Sequence, residues 1–138
     1  MSIINMQTMR YINLLDKASR VKTSKCFIYN NTIVFAVPAN LMSRAIGSNA
    51  ENVRLIQNQL GRRVRIIREP VGIGSMNQFI QDIVTPVRFK SLEIKDKEAV
   101  LTAGNAQNKA ALLGRNKKRY EELNEIIRGL FDLDLKIL

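Results

Sequence analysis

The chain has 138 residues, of which 46% are hydrophobic and 25% charged, proportions that indicate one small globular domain or two very small ones. It contains no histidine and a single cysteine, Cys26, which excludes histidine-based catalysis, an internal disulfide and a cysteine-cluster zinc site. The 22 Lys and Arg residues against 12 Asp and Glu residues give a net charge of +10. A small protein this basic usually binds a polyanion, most commonly nucleic acid.

The sequence carries no sign of export or catalysis. Its first residues lack the basic-then-apolar plan of a signal peptide, and no apolar run approaches the roughly 20 residues that span a bilayer. Neither a nucleophile–base pair nor a cluster of metal ligands is evident. We therefore expect a cytoplasmic protein that is not an enzyme, with no membrane partner, small-molecule substrate, cofactor or metal.

The two halves of the chain resemble each other. A shift of 67 residues aligns them without a gap over about 35 positions and preserves the apolar pattern. The matched pairs are Phe27 with Ile94, Ile33 with Val100, Val34 with Leu101, Gly47 with Gly114, Asn49 with Asn116 and Ile56 with Leu123. We interpret this pattern as an internal repeat.

Hydrophobic periodicity and turn residues place the elements of the first copy. They predict a helix over 6–19, strands over 26–29 and 32–37, a short helix over about 40–46, a helix after Asn49, and a strand over 64–67. Asn49 is a favourable N-cap for the helix that follows it, the fifth of these elements. Gly61 occupies the position where a glycine ends a helix.

The second copy predicts the same order. Its elements are a helix near 76–84, strands over roughly 87–95 and 98–102, a short helix to Leu113, a helix after Asn116 that ends at Gly129, and a strand over 133–138. The expected fold is therefore α+β, with units at 1–70 and 71–138. Each unit is helix–strand–strand–helix–helix–strand, a three-stranded mixed sheet packed with helices.

The turn between the two consecutive helices is the most informative feature of each copy. A glycine ends one helix, a polar pair follows, and a new helix begins. This arrangement directs backbone N–H groups and a helix dipole toward one point, which favours a phosphate. A glycine there also lets a sugar–phosphate backbone approach closely.

These segments resemble those of the archaeal NusA-like transcription factors, which carry tandem type II KH domains. The matching segments are residues 46–53 (IGSNAENV), 60–67 (LGRRVRII) and 111–116 (ALLGRN), and the resemblance covers essentially the whole chain. It implies that the loop in each unit binds single-stranded RNA, as KH domains do. It also implies a role in transcription elongation, termination or antitermination, with nascent transcript and RNA polymerase as partners.

Both loops depart from the family pattern at the fourth position, where Ala50 and Lys117 replace the usual glycine. The loops also differ in charge, because residues 112–119 carry a net +4 and residues 45–52 a net −1. The wider charge runs the other way: residues 1–70 have a net +8 and residues 71–138 a net +2. The sequence therefore does not indicate which unit dominates binding.

The candidate RNA-binding residues lie in the two loops, the flanking helices and the last strand of the first copy. They are Arg44, Gly47, Ser48, Asn49, Arg54, Arg63, Arg65, Lys109, Gly114, Arg115, Asn116, Lys117 and Lys118. Purely structural interpretations stay open for several of them. The two asparagines suit helix capping, the strand arginines suit solvation of a sheet edge, and Lys117 suits an ion pair with Glu121.

Two other functions share this fold expectation. One is a KH-type RNA-binding factor in ribosome assembly or RNA processing. The other is a protein-interaction module whose altered loops, with Ala50 and Lys117 in them, no longer bind RNA. Sequence preference is expected to be modest in every RNA-binding case, because phosphate contacts position a strand without specifying its bases.

Overall fold

In the computed structural model, which describes residues 5–138, the predicted order of helices and strands occurs twice. The unit that ends at Pro70 contains α1 (Met6–Ser19), β1 (Lys25–Tyr29), β2 (Thr32–Val37), α2 (Met42–Ile46), α3 (Glu51–Leu60) and β3 (Arg63–Arg68). The unit that begins at Val71 contains α4 (Met76–Val84), β4 (Ser91–Lys95), β5 (Glu98–Thr102), α5 (Ala106–Leu113), α6 (Lys118–Phe131) and β6 (Asp134–Ile137).

Each unit contains one three-stranded mixed sheet. In the first unit the order is β1-β2-β3, with β1 antiparallel and β3 parallel to the central strand β2. The second unit repeats this arrangement with β4-β5-β6. These sheets confirm the predicted α+β class and mixed strand pairing.

Local sequence explains where the first elements begin and turn. The Asn5 side chain accepts a hydrogen bond from the Thr8 N–H (2.9 Å), and the Thr8 hydroxyl accepts one from the Asn5 N–H (2.8 Å), so a capping box starts α1. Asn30 and Asn31, at φ 50° and 59°, connect β1 to β2. Two successive left-handed residues are what a tight hairpin requires, and asparagine tolerates that conformation.

The core of the first unit lies between its helices and one face of its sheet. Leu15, Ile33, Phe35 and Ile56 are fully buried in this cluster. Cys26 belongs to the same cluster, and its burial raises the pKa of the thiol to about 12. The thiol therefore remains protonated at neutral pH, as expected for a cysteine that serves as a small apolar side chain.

The second unit buries an equivalent set of apolar side chains. They are Met76, Phe79, Ile80, Ile83, Leu101, Leu112, Leu123 and Ile127. The rings of Phe79 and Phe131 meet edge to face with their centroids 6.0 Å apart. This contact joins α4 to the last turn of α6.

The repeat is real in structure, but its alignment contains a gap that the sequence comparison missed. Lys25 pairs with Ala36 in the first hairpin and Ser91 pairs with Thr102 in the second, which fixes a shift of 66 residues there. The shift is 67 residues at the following turn. The predicted matches in the hairpin, Phe27 with Ile94, Ile33 with Val100 and Val34 with Leu101, are therefore each wrong by one residue. The cause is one extra residue between β5 and α5.

Two predicted boundaries in the second unit are also wrong. The strand predicted over 87–95 begins only at Ser91, because residues 86–90 form an irregular connection after α4. Gly129 does not end α6, which continues to Phe131 before the left-handed residue Asp132 (φ 56°). The Phe131–Phe79 contact stabilises this additional turn and outweighs the low helix propensity of glycine.

Candidate nucleic-acid interface

The connections between the paired helices have the same backbone conformation in both units. We call residues 47–50 the first turn and residues 114–117 the second turn. Gly47 has φ 82° and ψ 167°, and Gly114 has φ 72° and ψ 174°. The third residues also agree, with φ and ψ of 54° and 33° at Asn49 and of 55° and 28° at Asn116. The hydrogen bonds repeat as well, because the fourth residue of each turn donates its N–H to the glycine carbonyl over 3.1 Å.

Glycine is required at the first position of each turn for two reasons. The observed dihedral angles lie in a region that is essentially restricted to glycine. In addition, a Cβ on Gly47 would lie 2.9 Å from the Asn52 amide nitrogen, and one on Gly114 would lie 2.9 Å from Arg119 Cβ. The two predicted glycines therefore have a demonstrable role in shaping the turns.

Each turn leaves two consecutive backbone N–H groups available. The hydrogen bonds that close the turns use the N–H groups of the fourth residue and of the first residue of the following helix. Within residues 5–138, the N–H groups of Ser48 and Asn49 and those of Arg115 and Asn116 therefore have no acceptor. All four residues are exposed, and each pair precedes a helix N-terminus. This arrangement can bind an anion.

The capping role considered for the asparagines is wrong. Neither α3 nor α6 has a side-chain cap, and Asn49 and Asn116 themselves adopt left-handed conformations. The next residues, Ala50 (φ 58°) and Lys117 (φ 60°), are also left-handed. This fourth position of each turn, where the family described above has glycine, is therefore one that favours glycine. In both units it is occupied by a residue whose left-handed conformation is strained.

Unpaired positive charge concentrates at the second turn. Arg115, Lys117 and Lys118 are exposed and form no ion pair with any described residue. The pair of Lys117 with Glu121 that the sequence allowed does not form. Instead Arg119, with an 18% exposed side chain, pairs with Glu122 at 2.9 Å. Three of the four cations in residues 112–119 are therefore available to an anion.

The arginines near the first turn bond to backbone carbonyls of the protein, and one of those carbonyls lies in the turn itself. The Arg44 Nε donates to the Ser19 carbonyl (3.3 Å), and Arg54 donates to the Asn49 carbonyl at the centre of the turn. Both arginines are exposed, as is Glu51 at the first position of α3. The first turn is accordingly less positive than the second.

The other predicted cations lie further away. The first turn precedes the N-terminus of α3, whereas Arg63 begins β3 after the C-terminus of that helix. Since α3 has ten residues, it is about 15 Å long and lies between the two. Arg65 lies on the same face of β3 but is half-buried and already interacts within the chain. Lys109 is exposed on α5, five residues before Gly114.

Two residues that help to shape the turns were not predicted. The Asn52 Nδ2 donates to the Arg44 carbonyl (3.1 Å) and so connects the end of α2 to the N-terminal end of α3. Arg119 packs beside Gly114 and is held there by Glu122. Both interactions depend on how two helices meet, and no local sequence signal identifies them.

Membrane-spanning helices and clusters of metal ligands are absent from the described residues. None of the helices there has the length and hydropathy needed to cross a bilayer. Residues 5–138 also bring together no group of three His, Cys, Asp or Glu side chains suited to a metal ion.

Comparison with known proteins found distant relatives with one shared name. No protein-family model matches the chain. It is 24% identical over 120 residues to the probable transcription termination protein NusA of Methanocaldococcus jannaschii, covering 85% of this chain and 64% of that protein. It is 19% identical over 128 residues to the probable transcription termination protein NusA of Halococcus morrhuae, covering 91% of this chain and 90% of that protein.

A solved structure shares the fold. The protein described as "Crystal structure of APE1850" superposes with a TM-score of 0.69 at 19% identity, over 98% of this chain and 100% of that one. Both curated relatives are named for transcription termination, and neither name denotes an enzyme. The chain is therefore distantly similar to archaeal NusA proteins in sequence.

Proposed function

We propose that the chain is a single-stranded RNA-binding transcription factor built from two type II KH-like units, acting on nascent transcript during elongation or termination. The carrying observation is the turn that occurs twice with the same dihedral angles and the same available N–H groups. The names of the distant relatives and the net charge of +10 support the assignment.

The backbone supplies the recognition chemistry in this proposal. The N–H groups of Ser48 and Asn49 donate to phosphate oxygens at the first turn, and those of Arg115 and Asn116 do so at the second. The positive ends of the α3 and α6 dipoles add to the attraction. Because these contacts involve no base edges, they position the strand with little preference for sequence.

Charge makes the two turns unequal. At the second turn Arg115, Lys117 and Lys118 neutralise phosphates, whereas at the first turn the Glu51 carboxylate repels them. Cations at the start of α6 oppose its dipole, and a bound phosphate compensates for that unfavourable placement. We therefore assign most of the salt-dependent affinity to the second turn.

The test is a titration of a fluorescent single-stranded RNA of about a dozen nucleotides at several salt concentrations. Neutralising three or four phosphates predicts a log–log salt slope of about −2 to −3. Lys117→Glu should weaken binding and flatten this slope. Lys97→Glu, in the β4–β5 connection, changes the net charge equally and should have little effect.

Equal binding by wild type and both variants would contradict the role of the second turn. Absence of RNA binding by the wild type would favour the protein-interaction module instead. Copurification with pre-ribosomal particles rather than RNA polymerase would place the same RNA-binding fold in ribosome assembly.

A further inference from the structure

Phe89 differs from the other aromatic residues of the chain. Five of the eight aromatic side chains are buried: Tyr11, Phe27, Tyr29, Phe35 and Phe79. Phe131 stacks edge to face on Phe79, and the Tyr120 hydroxyl donates to the Leu135 carbonyl (2.8 Å). Phe89 alone is partly exposed and makes no ring contact or hydrogen bond with a described residue.

Phe89 lines a cavity of about 480 Å³. The other lining residues are Gln81, Thr85, Pro86 and Arg88, so an aromatic, a proline, two polar residues and an arginine meet there. This volume lies in the range of small-ligand pockets, and the combination of apolar faces with a few polar groups is typical of them.

Hydrogen bonds fix the irregular segment that carries the ring. The Gln81 side-chain amide donates to the Val87 carbonyl (2.9 Å), and the Val87 N–H donates to the Val84 carbonyl (3.0 Å). At the other end, the Lys90 N–H donates to the Thr102 carbonyl (2.8 Å). The segment is thus anchored to α4 on one side and to β5 on the other, which lowers the entropic cost of binding at Phe89.

Positive charge flanks the ring on both sides in sequence. Arg88 and Lys90 are exposed, and neither forms an ion pair with a described residue. An aromatic face with adjacent cations is the combination that binds single-stranded nucleic acid, since the base stacks on the ring and the cations neutralise the backbone.

The cavity lies within reach of the second turn. Lys90 bonds to Thr102, shortly before α5, and the second turn begins directly after α5. This eight-residue helix is about 12 Å long. Together with the residues that link it to Thr102, α5 places the second turn within about 25 Å of Thr102, a distance that a strand of a dozen nucleotides can span.

We propose that the Phe89 cavity binds one base of the RNA strand whose phosphates lie at the second turn, with the base stacked on Phe89 and Arg88 on a neighbouring phosphate. This inference rests on the proposed function and adds a stacking site to it. Stacking accepts any base, because every base has a π-face, so the site adds affinity without strict sequence preference.

The test compares Phe89→Leu with Phe89→Tyr in the RNA titration. The leucine removes the π-face and should weaken affinity about tenfold, whereas the tyrosine retains the ring and should bind like the wild type. Arg88→Gln should reduce the magnitude of the log–log salt slope by about 0.7. Thermal unfolding of each variant separates loss of the site from loss of the fold.

Photocrosslinking of the wild type with 5-bromouridine RNA tests the site without a substitution. A crosslink to Phe89 supports the proposal. RNA binding that is unchanged in Phe89→Leu, with no crosslink in residues 85–90, would overturn the cavity site and leave the turns unaffected. A wild type that binds no RNA would overturn the stacking site and the proposed function together.

Discussion

Ala50 adopts a left-handed conformation (φ 58°) that glycine adopts without strain. A residue with a Cβ is strained by roughly 1–2 kcal/mol in this conformation, and replacing it with glycine removes that strain. Part of the resulting gain in stability is lost because glycine has greater conformational entropy in the unfolded chain. Ala50→Gly should therefore raise the free energy of unfolding by about 1 kcal/mol. Urea denaturation of the variant and the wild type measures the difference.

The same substitution at Ala110 provides the control for Ala50. Ala110 is exposed within α5, where helical glycine is about 1 kcal/mol less favourable than alanine. Ala110→Gly should therefore lower the free energy of unfolding. If both variants lose stability equally, the left-handed strain assigned to Ala50 is absent.

At the scale of elements, the helix–turn–helix connection depends on the glycine at its start. Gly114→Ala places a Cβ 2.9 Å from Arg119 Cβ and 3.0 Å from the Arg119 backbone nitrogen, in a conformation nearly restricted to glycine. We expect the variant to lose about 3 kcal/mol of unfolding free energy. Chemical denaturation followed by circular dichroism measures this loss.

Alanine substitutions at two further glycines are controls that distinguish backbone strain from steric overlap as the cause of the loss in Gly114→Ala. Gly61 (φ 64°) is left-handed, but a Cβ there meets nothing within 4 Å, so Gly61→Ala should be destabilising by about 1 kcal/mol. Gly74 has neither a positive φ nor a close neighbour, so Gly74→Ala should be neutral or slightly stabilising. Three equal losses would contradict the assigned geometry.

Elements with strong local signals could be predicted from the sequence. The helices over 6–19 and 76–84 and the strand over 32–37 were predicted with both ends correct. The spacing of their apolar residues matches either the helical or the strand period, and residues that interrupt secondary structure, such as Pro38 after the strand, define their ends. The location of the two turns was predicted for the same reason, since each contains a glycine between two helical patterns.

Features set by tertiary contacts could not be predicted. The Phe131–Phe79 contact carries α6 past Gly129, and the bond between Lys90 and Thr102 anchors an irregular segment where a strand was expected. Asparagine suits both an N-cap and a left-handed backbone, so the sequence at Asn49 does not distinguish the two. The location of the two turns was therefore easier to predict than their backbone conformation.

Across the whole molecule, charge and geometry are distributed differently. The first unit carries most of the net charge, +8 against +2, because residues 1–70 contain three carboxylates and residues 71–138 contain nine. Several of its arginines nevertheless bond to backbone or side-chain oxygens of the protein, among them Arg44, Arg54 and Arg62. Net charge acts on a polyanion at a distance, whereas in the proposed function the unpaired cations at the second turn neutralise RNA phosphates in contact.

Amide NMR of the ¹⁵N-labelled protein during titration with the twelve-nucleotide RNA reports directly on the backbone N–H groups of the two turns. The proposed function predicts that the largest shifts occur at the four available N–H groups, those of Ser48, Asn49, Arg115 and Asn116. The second-turn signals should respond at lower RNA concentration and lose their response first as salt is raised. Saturable RNA binding that leaves all four signals unmoved would contradict it.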